Sequence, residues 1–155
     1  MKIKELMTSP VQTCEPATNL AAAAAMMWDS DCGALPVVDH DGKAIGVITD
    51  RDICMAVATK RRVASELTVW ETITGKVHTC TADDEAKDAL HLMQRERVRR
   101  LPVVDQNGVL QGMVAMNDFV LHAEEPKGKR EPELSYHDVM EAMKAISAHR
   151  ILVGI

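Results

Sequence analysis

Two stretches 66 residues apart set a carboxylate just beyond an apolar run: Thr49-x-x-Asp52 and Ala115-x-x-Asp118. Thr49-x-x-Asp52 fits a capping box, in which hydroxyl and carboxylate satisfy the free amides at a helix start. The second copy has no hydroxyl at Ala115 yet keeps the acid, which the helix dipole favours only weakly. Two readings of the pair stay open: a helix cap alone, or an acid held ready for a polar ligand. Arg95, Arg97, Arg99 and Arg100 form a basic cluster in a chain whose net charge is −5. Lys60-Arg61-Arg62 fits the C-terminal end of a helix, where cations oppose the dipole favourably. Cys14, Cys32, Cys54 and Cys80 contain no C-x-x-C pair and read as reduced, mostly buried thiols of a cytosolic protein. The histidines are scattered without zinc spacing. No Ser-His-Asp order and no paired catalytic acids stand out, so no enzyme and no metal site are expected.

Composition narrows the classes further. The chain has 155 residues, 46% of them apolar and 3% aromatic. Its length fits one domain or two very small ones, and its core must be aliphatic. An acidic chain with so few aromatic faces is neither a general nucleic-acid binder nor a base-stacking platform. The longest apolar run, Leu20 to Trp28, is far short of the ~20 residues of a membrane span. Lys2 and Lys4 have no hydrophobic stretch behind them, so no secretory signal is expected. A cytoplasmic location follows as the expectation.

The elements that must position these residues occur twice. Leu35-Pro36-Val37-Val38-Asp39 returns as Leu101-Pro102-Val103-Val104-Asp105, and the same offset of 66 runs without a gap over residues 5–53 and 71–119. Each copy reads as a short strand (Val11 to Cys14; Val77 to Cys80), then a helix. Thr18 or Asn19 can cap the first helix, and Asp83 or Asp84 the second. Leu20, Ala23, Ala24 and Met27 share one face of the first helix, and Ala86, Ala89, Leu90 and Met93 that of the second. A strand hairpin follows (Ala34 to Val38 with Ala44 to Thr49; Leu101 to Val104 with Leu110 to Ala115). It turns at Asp41-Gly42 or Asn107-Gly108, dipeptides that tolerate positive φ. A closing helix starts near Asp50 or Met116. The fold class expected is mixed α/β: two β-α-β-β-α units, each too small to be comfortable alone, packed about a pseudo-twofold axis.

The twice-repeated L-P-V-V-D strand followed by glycine and a distal Asp resembles a tandem pair of CBS domains, or Bateman module. The resemblance covers residues 1 to about 124. It implies a regulatory module that binds adenosine-containing ligands (AMP, ADP, ATP, S-adenosylmethionine or NADH), has no resident cofactor and often pairs into disc-shaped homodimers. It further implies that Asp52 accepts hydrogen bonds from both ribose hydroxyls and that Thr49 bonds ribose or phosphate. Arg51 would pair with phosphate beside the helix N-terminus. Each cleft would borrow a strand and turn from the other repeat: Val77, His78, Thr79 and Ala82 for the Thr49 cleft, and Val11, Gln12, Thr13 and Pro16 for the cleft of Asn117 and Asp118. Cys32, Gly33 and Ala34, and Val98, Arg99 and Arg100, would line the clefts as well, with Arg99 and Arg100 facing phosphates. The missing hydroxyl at Ala115 should weaken the second cleft by roughly 1.5–3 kcal/mol, about ten- to a hundredfold.

These readings divide the chain into repeat 1 (1–62), repeat 2 (63–124) and a tail (125–155). The tail begins as a linker with Pro126, Gly128 and Pro132. Ser135-x-x-Asp138 then opens a helix with Val139, Met143 and Ile146 on one side. The helix and the apolar Ile151 to Ile155 pack on the module or a dimer partner, or serve as a docking arm. Function reduces to two alternatives: a sensor passing ligand occupancy to an unknown regulated protein, or a ligand-free homodimeric scaffold.

Overall fold

A computed structural model of the chain describes residues 1–73, 75–126, 128 and 130–148. The element order follows the repeat. Repeat 1 carries α1 (Leu20–Asp29), β1 (Ala34–Val38), β2 (Ala44–Thr49) and α2 (Asp50–Lys60). A short α3 (Val69–Thr72) and β3 (Cys80–Thr81) lead into α4 (Ala86–Glu96), β4 (Arg100–Val104), β5 (Leu110–Ala115) and α5 (Met116–His122) of repeat 2, and α6 (Tyr136–Ser147) closes the described chain. The hairpin β1–β2 is antiparallel and sets Ala34 opposite Thr49; β3, β4 and β5 lie in that order in a second sheet. Among the described residues no helix is long and apolar enough to cross a membrane.

The expected strand at Val11 to Cys14 shrinks to a single parallel bridge between Cys14 and Val37, and its counterpart to the two residues of β3. Cys14 alone docks on β1, its amide donating to Pro36 O and its carbonyl accepting from Val38 N. Helix caps split likewise. Asn19 caps α1, its side-chain oxygen accepting from Ala22 N at 2.9 Å. For α4 the N-cap is Glu85, with no side-chain cap, rather than Asp83 or Asp84. Both oxygens of Asp84 are taken by Thr81, from its amide (2.8 Å) and hydroxyl (2.7 Å), while Lys4 Nζ binds Asp83 at 2.8 Å.

Contacts group the chain into two compact units that cut across the repeats. One comprises Thr8–Thr79 with Pro102–Met113; the other Met1–Met7, Cys80–Leu101 and the chain from Val114 on. The reason is an exchange of head segments. In the second unit Ile3 N donates to Asp84 O (3.0 Å), Lys4 N to Ala82 O (2.9 Å), and Ala86 N to Met1 O (2.9 Å). In the first, 66 positions along, Val69 N donates to Thr18 O (2.8 Å), Trp70 N to Pro16 O (3.0 Å), and Leu20 N to Leu67 O (2.9 Å). Each repeat's first helix is thus entered under the head of the other repeat, which satisfies an amide that the helix start leaves open and two carbonyls of the loop before it.

The first unit buries Leu20, Ala23 and Met27 of α1 against Leu35, Val37, Ile48 and Ile53, with Leu67 and Val69 of the exchanged head fully enclosed. Its hairpin turns meet: Ala44 N donates to Gly108 O (3.1 Å) and Leu110 N to Gly42 O (3.0 Å). Gly42 and Gly108 hold φ of +76° and +82° there, where a Cβ would be strained. In the second unit Ala86, Ala89, Leu90 and Met93 are buried as the face of α4 predicts. Helix α6 packs on α4 and α5, burying Val139 and Ala142, and Lys87 Nζ lies 3.1 Å from Asp138 Oδ2. The tail helix therefore packs on its own chain; Ile151 to Ile155 lie outside the described residues.

Two consequences can be measured. Leu67→Ala removes a fully buried side chain from beneath α1 and should destabilise the protein by about 2–5 kcal/mol in denaturant titration. Glu71 caps α3 through Thr68, whose amide and hydroxyl both donate to its Oε2, and pairs with Arg62 at 3.1 Å. These bonds, led by that from the Thr68 amide, hold its carboxyl down to about 2. The folded-state value is depressed, so the stabilisation it brings is whole above the ordinary glutamate range and fades as pH falls towards 2. Thr68→Ala should raise the Glu71 midpoint in a carboxyl NMR titration.

Candidate ligand site

Strand β2 ends at Thr49, which is extended (φ −117°, ψ 161°), and the chain turns at once into α2. The box forms in full. Thr49 N donates to Asp52 Oδ2 at 2.9 Å, Thr49 Oγ1 donates to the same oxygen at 2.8 Å, and Asp52 N donates back to Thr49 Oγ1 at 3.2 Å. Asp52 is half-buried, and its Oδ1 takes no part in the box. Arg51, next to it, is exposed. Pairing of β1 with β2 brings Ala34 beside Thr49, and Asp50 N donates to Gly33 O at 3.2 Å, so Cys32, Gly33 and Ala34 adjoin the start of α2.

The second copy has half of this device. Asp118 Oδ2 accepts from Ala115 N at 2.7 Å, and with no hydroxyl at Ala115 the return bond is missing. Met116 N donates to Arg99 O at 2.9 Å and ties the arginine-bearing loop to the start of α5. Asn117 and Arg99 are exposed, while Asp118, Val98 and Arg100 are half-buried.

The same boxes cap helices elsewhere. Thr68–Glu71 and Ser135–Asp138 make the same bonds at α3 and α6. The box at Thr49 is therefore one of several local caps in this chain; what sets Thr49–Asp52 apart is its place at a hairpin edge with an exposed arginine between.

Val77, His78 and Thr79, all half-buried, and Val11, Gln12, Thr13 and Pro16 belong to the same compact unit as Thr49 and Asp52. Ala82, Val98, Arg99, Arg100, Asn117 and Asp118 belong to the other. Pro16 and Ala82 have a task that the sequence did not reveal: their carbonyls accept from the exchanged heads, at Trp70 and Lys4. The thiols also divide. Cys14 and Cys80 are buried, and burial pushes them up to about 11 and about 12, whereas Cys32 and Cys54 are exposed, contrary to the burial expected of most.

Beside Cys32 the structure opens a groove of about 410 Å³ between α1 and α2, lined by Ala24, Met27, Trp28, Asp31, Asp50 and Ile53 among others. Sequence reasoning placed Cys32 and Gly33 near a ligand but missed this groove. Trp28, an indole ending an alanine-rich helix, was its one visible signal. Asp39, His40 and Asp41 lie close enough to share a cation. Asp39 Oδ1, however, already accepts from Asp41 N and Lys43 N, both at 2.9 Å, and Asp105 does the same in the other hairpin, so the group is a turn.

Known proteins share this architecture. The CBS domain model matches residues 3–59 and again 66–125. The protein YlbB of Bacillus subtilis is 38% identical over 122 residues, covering 77% of this chain and 80% of YlbB. Among solved structures, Hypoxic Response Protein I, described with two coordinated zinc ions, is similar at a TM-score of 0.72 and 27% identity. It is covered in full by 80% of this chain. The CBS domain pair of protein MJ0100, described in complex with 5′-methylthioadenosine and S-adenosyl-L-methionine, follows at 0.71 and 26%, with 78% of this chain and 94% of that one aligned. The matched pair of segments is the repeat of exchanged head, capped helix and hairpin described above, and the chain belongs to the CBS domain family.

Proposed function

We propose that the chain is a regulatory, non-catalytic sensor of adenosine-containing small molecules, acting in the cytoplasm as a homodimer on a partner protein. The observation that carries this reading is the edge at Thr49, Arg51 and Asp52. A half-buried carboxylate with one oxygen outside its capping box adjoins an exposed arginine and a helix N-terminus, a set suited to a ribose diol and an anionic group. The MJ0100 domain pair, 26% identical and described with two adenosine compounds, supports the ligand class. In this proposal Val77, His78, Thr79 and Ala82 complete the Thr49 site with Arg99 and Arg100 towards the anionic end. Val11, Gln12, Thr13 and Pro16 complete a weaker site at Asn117 and Asp118, where the hydroxyl is lost. AMP, ADP, ATP, S-adenosylmethionine and NADH are the candidates. Ligand binding would favour one arrangement of repeats or protomers over another, since a ligand shifts a conformational balance only by its differential affinity.

A melting panel over those five compounds tests it. At one hundred times its dissociation constant a true ligand stabilises by about 2.7 kcal/mol, a readily visible shift. Asp52→Ala should abolish the main shift, and Asp118→Ala should change it less. Equal losses would overturn the asymmetry, and no shift with any compound would leave the empty scaffold as the function. Thr49→Ala should cost about 0.5–2 kcal/mol of stability without ligand, as removal of an N-cap hydroxyl does, and should weaken the ligand shift too.

A further inference from the structure

The corner between α1 and α2 carries charge that the fold does not ask for. Asp31 and Asp50 line the groove beside Cys32, and both are exposed. At the equivalent places repeat 2 holds Arg97, in the same left-handed conformation (φ 55° against 48° at Asp31), and the buried Met116. Neither acid is therefore dictated by its turn. Among the described residues no cation pairs with either carboxylate, and Asp50 Oδ1 accepts from the amide of Arg51 at 2.7 Å. Trp28, in the wall of the same groove, is 86% exposed and stands where repeat 2 has Gln94, so the core gains little from it.

These groups adjoin the box at Thr49. Asp50 follows Thr49 directly, Ile53 of the groove follows Asp52, and Asp50 N donates to Gly33 O, another residue of the groove, at 3.2 Å. An indole face with carboxylates at its edge attracts a cationic ligand group. Phosphate is disfavoured by the same set, because this edge supplies three acids, Asp31, Asp50 and Asp52, and one cation, Arg51.

We propose that the groove between α1 and α2 is the subsite for a positively charged group on the 5′ side of the ligand. The Thr49 site then takes adenosine compounds that bear a sulfonium or ammonium there, S-adenosylmethionine among the candidates above, in preference to adenine nucleotides. The inference rests on the adenosine reading and narrows it to one chemical class. The ligand's covalent structure fits the spacing of the residues. A sulfonium is bonded directly to C5′ of the ribose, so a sugar held at Asp52 carries its charge to the neighbouring Asp50 and to the groove that Asp50 shares with Asp31 and Trp28. The amino-acid end brings a carboxylate for Arg51 and an ammonium for the acidic rim. AMP, ADP, ATP and NADH place negative charge next to that same carbon.

Isothermal titration against a ladder of ligands tests the charge preference. S-adenosylmethionine, and sinefungin with an amine in place of the sulfonium, should bind more tightly than S-adenosylhomocysteine, which lacks the charge on sulfur. AMP and ATP should bind most weakly. Asp31→Asn with Asp50→Asn, and separately Trp28→Leu, should each lower the affinity for S-adenosylmethionine by about three- to thirtyfold and that for S-adenosylhomocysteine less. All three side chains are exposed, so the variants should fold, which circular dichroism melts without ligand verify. In a Trp70→Phe background, S-adenosylmethionine should change the emission of Trp28 and ATP should not. Equal affinity for S-adenosylmethionine and S-adenosylhomocysteine, nucleotides that bind better than either, or a preference untouched by the groove variants would overturn the subsite and leave the adenosine reading standing. Failure of every adenosine compound to bind, or binding undiminished in Asp52→Ala, would overturn that reading instead.

Discussion

Everything in this chain depends on the exchange of heads. A helix start leaves amides without partners, and a unit of this size buries too little to stand at ease alone. The chain meets both needs at once by lending Leu67 to Trp70 to α1 and Met1 to Lys4 to α4, with three matched backbone bonds in each direction. The lent segments also bring apolar weight: Ile3, Leu67 and Val69 are fully enclosed. Neither repeat is complete without residues that the chain assigns to the other, so half the molecule should not fold by itself as half the fold.

Matched backbones do not make matched surfaces. The offset of 66 preserves bonds almost one for one, at the helix entries, the hairpin turns and the corners after α1 and α4. Side chains diverge on that frame wherever the backbone does not need them. Thr49 becomes Ala115 and halves a capping box; Ala24 becomes Leu90 and sets a larger, buried side chain on the helix; Asp31 becomes Arg97 and reverses a charge. Duplication gives two equal frames, and substitution, buried at Leu90 and exposed at Arg97, makes them chemically different.

Much of this could be read from residue order. The hairpins follow from L-P-V-V-D and the Asp-Gly and Asn-Gly turns, and the core faces of α1 and α4 follow from 3.6-residue spacing, because local geometry alone decides them. What escaped was short or long-range. The heads are a 3-10 turn at Ile3–Glu5 and the four residues of α3, too brief for any periodicity, and their partners lie some eighty or fifty residues away in sequence. Val11 and Thr13 have the types of a strand, yet only Cys14 finds a partner, since a lone parallel bridge to β1 is all the neighbourhood offers. Asp84 looked like a helix cap because nothing in its spacing reveals that Thr81 occupies both its oxygens. At the candidate site Thr49 and Asp52 were legible as a box, whereas the groove beside Cys32 depends on which side chains α1 and α2 leave small.

The box at Thr49 bears on how occupancy could be felt elsewhere. Asp52 holds the first turn of α2 through Oδ2 alone, while Oδ1 stays outside the box. A ribose engaging Oδ1 would leave the cap standing and add a bond to a carboxylate already fixed in place, so little side-chain freedom remains to be lost on binding. A ribose demanding both oxygens would instead compete with the Thr49 hydroxyl and loosen the start of α2. That helix start is bonded to Gly33 through Asp50, and Gly33 belongs to the corner where α1 ends. The cap, the loop from Cys32 to Ala34 and the acidic corner at Asp31 are therefore one connected piece of backbone. A change at Asp52 therefore has a short backbone route to the exposed corner at Asp31, and in repeat 2 the route through Asp118, Met116 and Arg99 is the same with a weaker cap at its origin.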